Sequence, residues 1–147
     1  MDWAFSLIEL VIVLAIIGLL AAMAVPRFAN AAMHSRVDAA AKRIAADLEL
    51  TRKYAIHSST IQTVTFSGNS YEISGMRDLD HATSSYKVNL SAEPYRARIL
   101  SADFAGDSEV SFDIYGNADS GGTVVVYVAG WRHTVTFNPA SCTATVE

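Results

Sequence analysis

Apolar residues are concentrated at the start of the chain, and their pattern changes twice further along. Between Ala4 and Val25 the only polar side chains are Ser6 and Glu9. A helix of that length, at about 1.5 Å per residue, spans roughly 33 Å and is long enough to cross a bilayer. From Arg27 to about His57 there is no Gly or Pro, Ala is abundant, and Val37, Ala41, Ile44, Leu48 and Ala55 recur at helical spacing. This pattern predicts an amphipathic helix that continues the first and carries an apolar stripe to pack on the C-terminal part of the chain. Asp38 with Lys42, and Glu49 with Lys53, are spaced four residues apart with the acid first, an order that adds a few tenths of a kcal/mol per pair.

After His57 the period changes to two. Ile61 to Phe66, Tyr71 to Ile73, Tyr86 to Leu90, Arg96 to Ile99, Val110 to Tyr115, Thr123 to Val128, Arg132 to Phe137 and Thr143 to Val146 are short runs rich in β-branched and aromatic residues, and each predicts a strand. Turn residues separate them. Ser67-Gly68-Asn69 should close a hairpin, Gly116-Asn117 and Gly121-Gly122 bracket a loop, Ala129-Gly130 turns into Trp131, and Asn138-Pro139 ends a strand. Val110, Phe112 and Ile114 alternate with Ser111 and Asp113, which predicts an apolar face as the seat of the helix stripe. Residues from Ser74 to Ser85 read as the least structured stretch, and no repeat or low-complexity tract is present. The expected architecture is α+β: a long N-terminal helix, membrane-spanning in its first half and amphipathic in its second, packed on an antiparallel β head.

Charge is divided in the same way. All 11 Lys and Arg lie after Val25; the segment 27–57 carries a net +3 and residues 58–147 a net -5. A negative head disfavours a nucleic-acid surface. The single cysteine, Cys142, excludes an intrachain disulfide, so packing must hold the head together. Catalytic chemistry finds no foothold: His34, His57, His81 and His133 are scattered without ligand spacing, and neither a Gly-rich phosphate loop nor a nucleophile motif occurs. Asp78, Asp80 and His81 are a remote option for a cation, with a solvated loop the better reading. No cofactor is expected. Trp131, beside its turn, is expected to be a packed hairpin residue rather than a partner contact.

A cleaved secretory signal would share the small residues Ala21, Ala22 and Ala24, but the apolar run is longer than the usual core of about 7 to 15 residues and holds a carboxylate near its start. Glu9 therefore needs an explanation. Inserting a carboxylate in a membrane helix costs about 2.5 to 3.5 kcal/mol, so it requires a compensating cation or a place at the membrane boundary. Gly18 lowers helix propensity, and Pro26 removes a backbone donor and clashes with the carbonyl four residues back. Either both are tolerated in a membrane helix or they form a hinge near Ala22.

The run Phe5-Ser6-Leu7-Ile8-Glu9-Leu10-Val11-Ile12-Val13-Leu14-Ala15-Ile16-Ile17-Gly18, continuing to Pro26, resembles the N-terminal helix of the type IV pilin and type II secretion pseudopilin superfamily. In that superfamily a prepilin peptidase cuts before the Phe and methylates the new amino terminus. The resemblance thus implies a leader at residues 1–4, cleavage between Ala4 and Phe5, N-methyl-Phe5, a membrane and assembly helix over 5–26, an amphipathic extension over 27–57, and a periplasmic β domain over 58–147. Ala4 stands where the family usually has Gly, and residues 1–4 carry no Lys or Arg. The resemblance also implies that Glu9 pairs with the amino group of a neighbouring subunit and that the Gly18–Pro26 stretch loosens on assembly.

The text Ala45-Ala46-Asp47-Leu48-Glu49-Leu50-Thr51-Arg52-Lys53-Tyr54-Ala55, the strand at Val64 to Phe66, and Val110-Ser111-Phe112-Asp113-Ile114-Tyr115-Gly116 are similar to the H-type minor pseudopilins and their fimbrial-biogenesis relatives. The turn after Pro139 usually carries Gly in that group, where this chain has Ser141-Cys142. The function this implies is structural. It is a single-pass inner-membrane subunit of a secretion pseudopilus that helps export folded proteins, with other pseudopilins, the prepilin peptidase and the inner-membrane assembly platform as partners. Alternatives are a minor pilin of a type IV pilus, serving adhesion, motility or DNA uptake, and an enzyme held by a signal anchor.

Overall fold

The computed structural model of the chain describes residues 6–77 and 85–147, and residues 23–26 by their backbone only. Helix α1 (Leu7–Ser58) precedes eight strands: β1 (Gln62–Ser67), β2 (Ser70–Arg77), β3 (Ser85–Asn89), β4 (Arg98–Asp103), β5 (Glu109–Phe112), β6 (Gly122–Val128), β7 (Trp131–Asn138) and β8 (Thr143–Val146). The chain divides into two compact units, residues 1–33 and 34–147. The first is α1 up to Met33. The second holds the rest of α1 and two antiparallel four-stranded sheets, ordered β3-β2-β1-β5 and β4-β6-β7-β8.

In the second unit the helix stripe meets the sheets as its spacing predicts. Val37, Ala41, Ile44, Leu48 and Ala55 are buried, joined by Ala40 and Thr51. Small residues on this stripe let the helix backbone lie close to the strands, and Thr51 satisfies its hydroxyl by donating to the Asp47 carbonyl at 2.6 Å. The first sheet contributes Val64, Phe66, Tyr71, Ile73, Val110 and Phe112 to the core; the second contributes Val124, Val126, Val128, Val135 and Phe137. Phe112 of β5 meets Phe137 of β7 edge to face at 5.6 Å, joining the two sheets. Asn69 joins them by hydrogen bonds: its carbonyl accepts from Leu90 N at 2.9 Å, and its Oδ1 accepts from Ile99 N at 3.2 Å.

The hairpins close where turn chemistry places them. Gly68 at φ +59 lies in the two-residue link between β1 and β2, and Ala129 and Gly130, both at positive φ, form the turn between β6 and β7. Cys142 is buried and also sits at positive φ, in the turn where the resembling sequences usually place Gly.

Four local expectations are corrected. The strand expected over Val110 to Tyr115 stops at Phe112, and Ile114 lies off the core face, 40% exposed. The cause is Asp113, whose carboxylate accepts the backbone N–H of Tyr115 at 2.9 Å and of Asn117 at 2.8 Å, turning the chain away from the sheet. Its Asn117 side-chain partner comes first among the donors that hold the Asp113 carboxyl below the usual range. The strand expected over Tyr71 to Ile73 instead runs on to Arg77, so Ser74 to Arg77 is not loop. Gly75 at φ +71 carries the chain through a register shift before Arg77. The strand placed at Arg96 to Ile99 begins at Arg98 and continues to Asp103. Lys42 pairs with Asp38 at 2.8 Å and lowers that carboxyl's pKa, whereas among the described residues no ion pair joins Glu49 and Lys53.

Candidate assembly helix and the head that carries it

The N-terminus of α1 is built at Ser6. Its carbonyl accepts from Glu9 N at 3.0 Å and from Leu10 N at 3.2 Å, closing the first turn. Glu9 falls in that turn, where a carboxylate is favoured by the positive end of the helix dipole by about 0.3–1 kcal/mol. Around it Ile8, Leu10, Val11, Ile12, Val13, Leu14, Ile16, Ile17, Leu19 and Leu20 are all exposed, from 44% at Val13 to 64% at Ile8 and Leu19. From residue 7 to residue 22 every residue of α1 is exposed. So continuous an apolar surface is far above what a water-facing helix carries, and lipid or other apolar helices are its natural surroundings. By length and composition α1 is able to cross a membrane.

Gly18 lies on this helix with nothing within 4 Å of the place a Cβ would take. Pro26 lies in the same helix, and its side chain is outside the described residues. Ala4 and Phe5, the expected cleavage pair, also lie outside them, as do Asp78, Asp80 and His81. Among the described residues no group of His, Cys, Asp and Glu is arranged to hold a metal.

Two groupings in the head are tertiary products. The first surrounds Asp47, buried on the helix stripe. Its carboxylate accepts from Tyr71 OH at 2.5 Å, from Arg43 Nε at 3.0 Å and from Tyr86 OH at 3.1 Å, and Arg43 also donates to the Tyr86 hydroxyl. A buried carboxylate with three donors is satisfied, and the network pins α1 to β2 and β3. Burial, then the Asp47 charge, pushes both phenols above their ordinary range. The sequence held one hint of this, an Asp between Ile44 and Leu48 with Arg43 four residues before it. The two tyrosines, 24 and 39 residues away, gave none.

The second grouping unites histidines that are scattered in sequence. His34 lies 5.6 Å from His133 and 5.1 Å from Trp131, ring centroid to centroid, both edge to face. Trp131 is thus packed on one side, as its hairpin position suggests, yet 43% exposed.

The family model for type II transport protein GspH matches residues 40–141, covering α1 from Ala40 and the head as far as Ser141. No match was found among curated proteins or among solved structures.

Proposed function

Because the chain belongs to the GspH family of type II transport proteins, we propose that it is a minor pseudopilin, a single-pass inner-membrane subunit that enters a short periplasmic pseudopilus and helps move folded proteins across the outer membrane. The family is one of structural subunits. The observation that carries the proposal is a head of this family joined to a bare apolar helix with a carboxylate in its first turn.

In this reading residues 5–26 hold the subunit in the bilayer and form its contacts with other pseudopilins. The prepilin peptidase removes residues 1–4 and methylates Phe5. The freed amino group is charged below a pKa of about 8 and supplies the cation that Glu9 lacks. Pairing within one chain across a single turn would satisfy the charge but join nothing. Pairing with Glu9 of a neighbour satisfies it equally and fixes the register of the incoming subunit. The inner-membrane platform receives the subunit, and a separate cytoplasmic ATPase supplies energy. Mass spectrometry of the mature N-terminus tests the reading: N-methyl-Phe5 is expected, and a mature chain that retains residues 1–4 overturns the pairing and the assignment built on it.

A further inference from the structure

The outward face of the sheet β4-β6-β7-β8 brings two arginines together around a tyrosine. Arg98 of β4 stands directly opposite Tyr127 of β6, and Tyr127 directly opposite Arg132 of β7. Opposed residues share a face, and this one is turned away from the core, because Val126 and Val128 on either side of Tyr127 are buried. The two arginines thus flank one phenol ring, two strand spacings or about 10 Å apart. Elsewhere in the head Lys87 stands opposite Glu72 and Arg96 pairs with Glu93, whereas Arg98 and Arg132 form no ion pair among the described residues. Glu147, the next acid along the β7 ladder, lies opposite Thr134 and pairs with neither.

The opposite charge collects at the other end of β4. Asp103 ends that strand, and the chain that follows carries Asp107 and Glu109; all three are exposed, and no basic residue lies between 103 and 109. Asp103 accepts from Gly106 N at 2.8 Å and Glu109 from the Thr65 hydroxyl at 3.4 Å, bonds that fix the turn without neutralising it. Between the two ends Leu100 is bulged out of the ladder and 54% exposed. Arginine and tyrosine are favoured at protein interfaces, and a guanidinium binds a carboxylate in bidentate fashion. Charge also selects the occupant. A net of -5 on residues 58–147 repels a polyanion such as DNA, whereas every copy of the chain offers discrete carboxylates on a fixed turn. The strand holds Arg98 and Asp103 of one head about 16 Å apart, so the two surfaces meet only between copies. Because they differ, the contact is heterologous and builds a ring or an open row rather than a two-fold pair.

We propose that the Arg98–Tyr127–Arg132 row is a docking surface for the Asp103–Asp107–Glu109 turn of a second copy of this chain. Carboxylates of the incoming turn bind Arg98 and Arg132, while Tyr127 and Leu100 supply apolar cover. The contact joins heads alone, and it holds whether or not residues 1–4 are removed.

The test mixes two full-length variants in detergent micelles, one carrying Thr134→Cys beside the basic row and the other Ser108→Cys in the acidic turn, and adds a short bis-maleimide; the native Cys142 is buried. A 134–108 cross-link is expected to dominate over 134–134 and 108–108, and to fall as salt is raised. Arg98→Glu with Arg132→Glu in the first variant should lower its yield about tenfold. Adding Asp107→Arg with Glu109→Arg to the second should restore it, which a chain that had merely unfolded could not do. A yield unmoved by the arginine changes, or not restored by the swap, overturns the contact and leaves association to α1. Predominant 134–134 linkage overturns it in favour of a two-fold pair. Absence of the 134–108 product at every protein concentration overturns it too, whether the row then retains duplex DNA or the acids of another protein.

Discussion

Glu9 and Asp47 are both carboxylates set among apolar residues of α1, and they differ in who satisfies them. Asp47 finds three donors inside its own head. Among the described residues Glu9 has only the helix dipole, and in the proposed reading a neighbour's amino group completes its compensation. Glu9→Ala should therefore leave the protein in the membrane and block its incorporation into filaments, read by membrane fractionation and filament purification; normal incorporation would defeat the pairing. Asp47→Ala acts on the fold instead, stranding Arg43, Tyr71 and Tyr86, and should lower stability by about 2–4 kcal/mol in urea unfolding. The same network sets a pH dependence. Tyr71 and Tyr86 have folded pKa values above the ordinary value of about 10, so the unfolded chain releases phenolic protons first as pH rises. Their contribution is whole below pH of about 10 and falls above it. Urea midpoints measured from neutral to strongly alkaline pH should show that decline. Tyr71→Phe should flatten it, while lowering stability at neutral pH by about 1–3 kcal/mol because Asp47 loses a donor.

At the level of elements, α1 combines two helices of different chemistry. Its head portion is fixed by a buried stripe and by Arg52, whose Nε donates to the Gly116 carbonyl at 3.1 Å. Its apolar portion contains the two weakest helix formers, Gly18 and Pro26. Replacing Gly18 by Ala should raise helix stability by about 1 kcal/mol, and Pro26 by Ala by about 3 kcal/mol. If the stretch is a hinge, the double variant gains helicity in micelles by circular dichroism yet enters filaments poorly. Unimpaired entry would show that both residues are merely tolerated. Strand boundaries were legible wherever a turn residue had one local role, as at Gly68 and at Ala129-Gly130. They were misread at Gly75 and Asp113. Gly75, in the stretch read as least structured, takes β2 through a register shift, and an aspartate that fits the outer face of a strand ends it by capping two backbone N–H groups.

Across the whole molecule the charge is divided, +3 on residues 27–57 and -5 on residues 58–147. Duplex DNA is a dense line of negative charge, and a protein bound to it must displace condensed cations with its own. Residues 27–147 should accordingly show no salt-sensitive DNA binding in a mobility-shift assay. Binding that weakens steeply with salt would return DNA uptake to consideration. Family membership rests on the head, since the match begins at Ala40, whereas the features that make the chain a candidate filament subunit lie before it. The two lines of support are therefore independent.

The sequence by itself determined the order of parts: an apolar helix of bilayer length, an amphipathic continuation, a β head, the stripe of Val37, Ala41, Ile44, Leu48 and Ala55, and most of the eight strands. These are properties of periodicity, and periodicity is local. That Asp47 is satisfied inside the head was decided by tertiary structure, because Tyr71 and Tyr86 reach it across sheet pairings that no spacing announces. The meeting of His34, Trp131 and His133 has the same origin. Residues about a hundred positions apart become neighbours only when the β6–β7 hairpin is laid beside the helix, and that placement depends on the packing of both sheets at once.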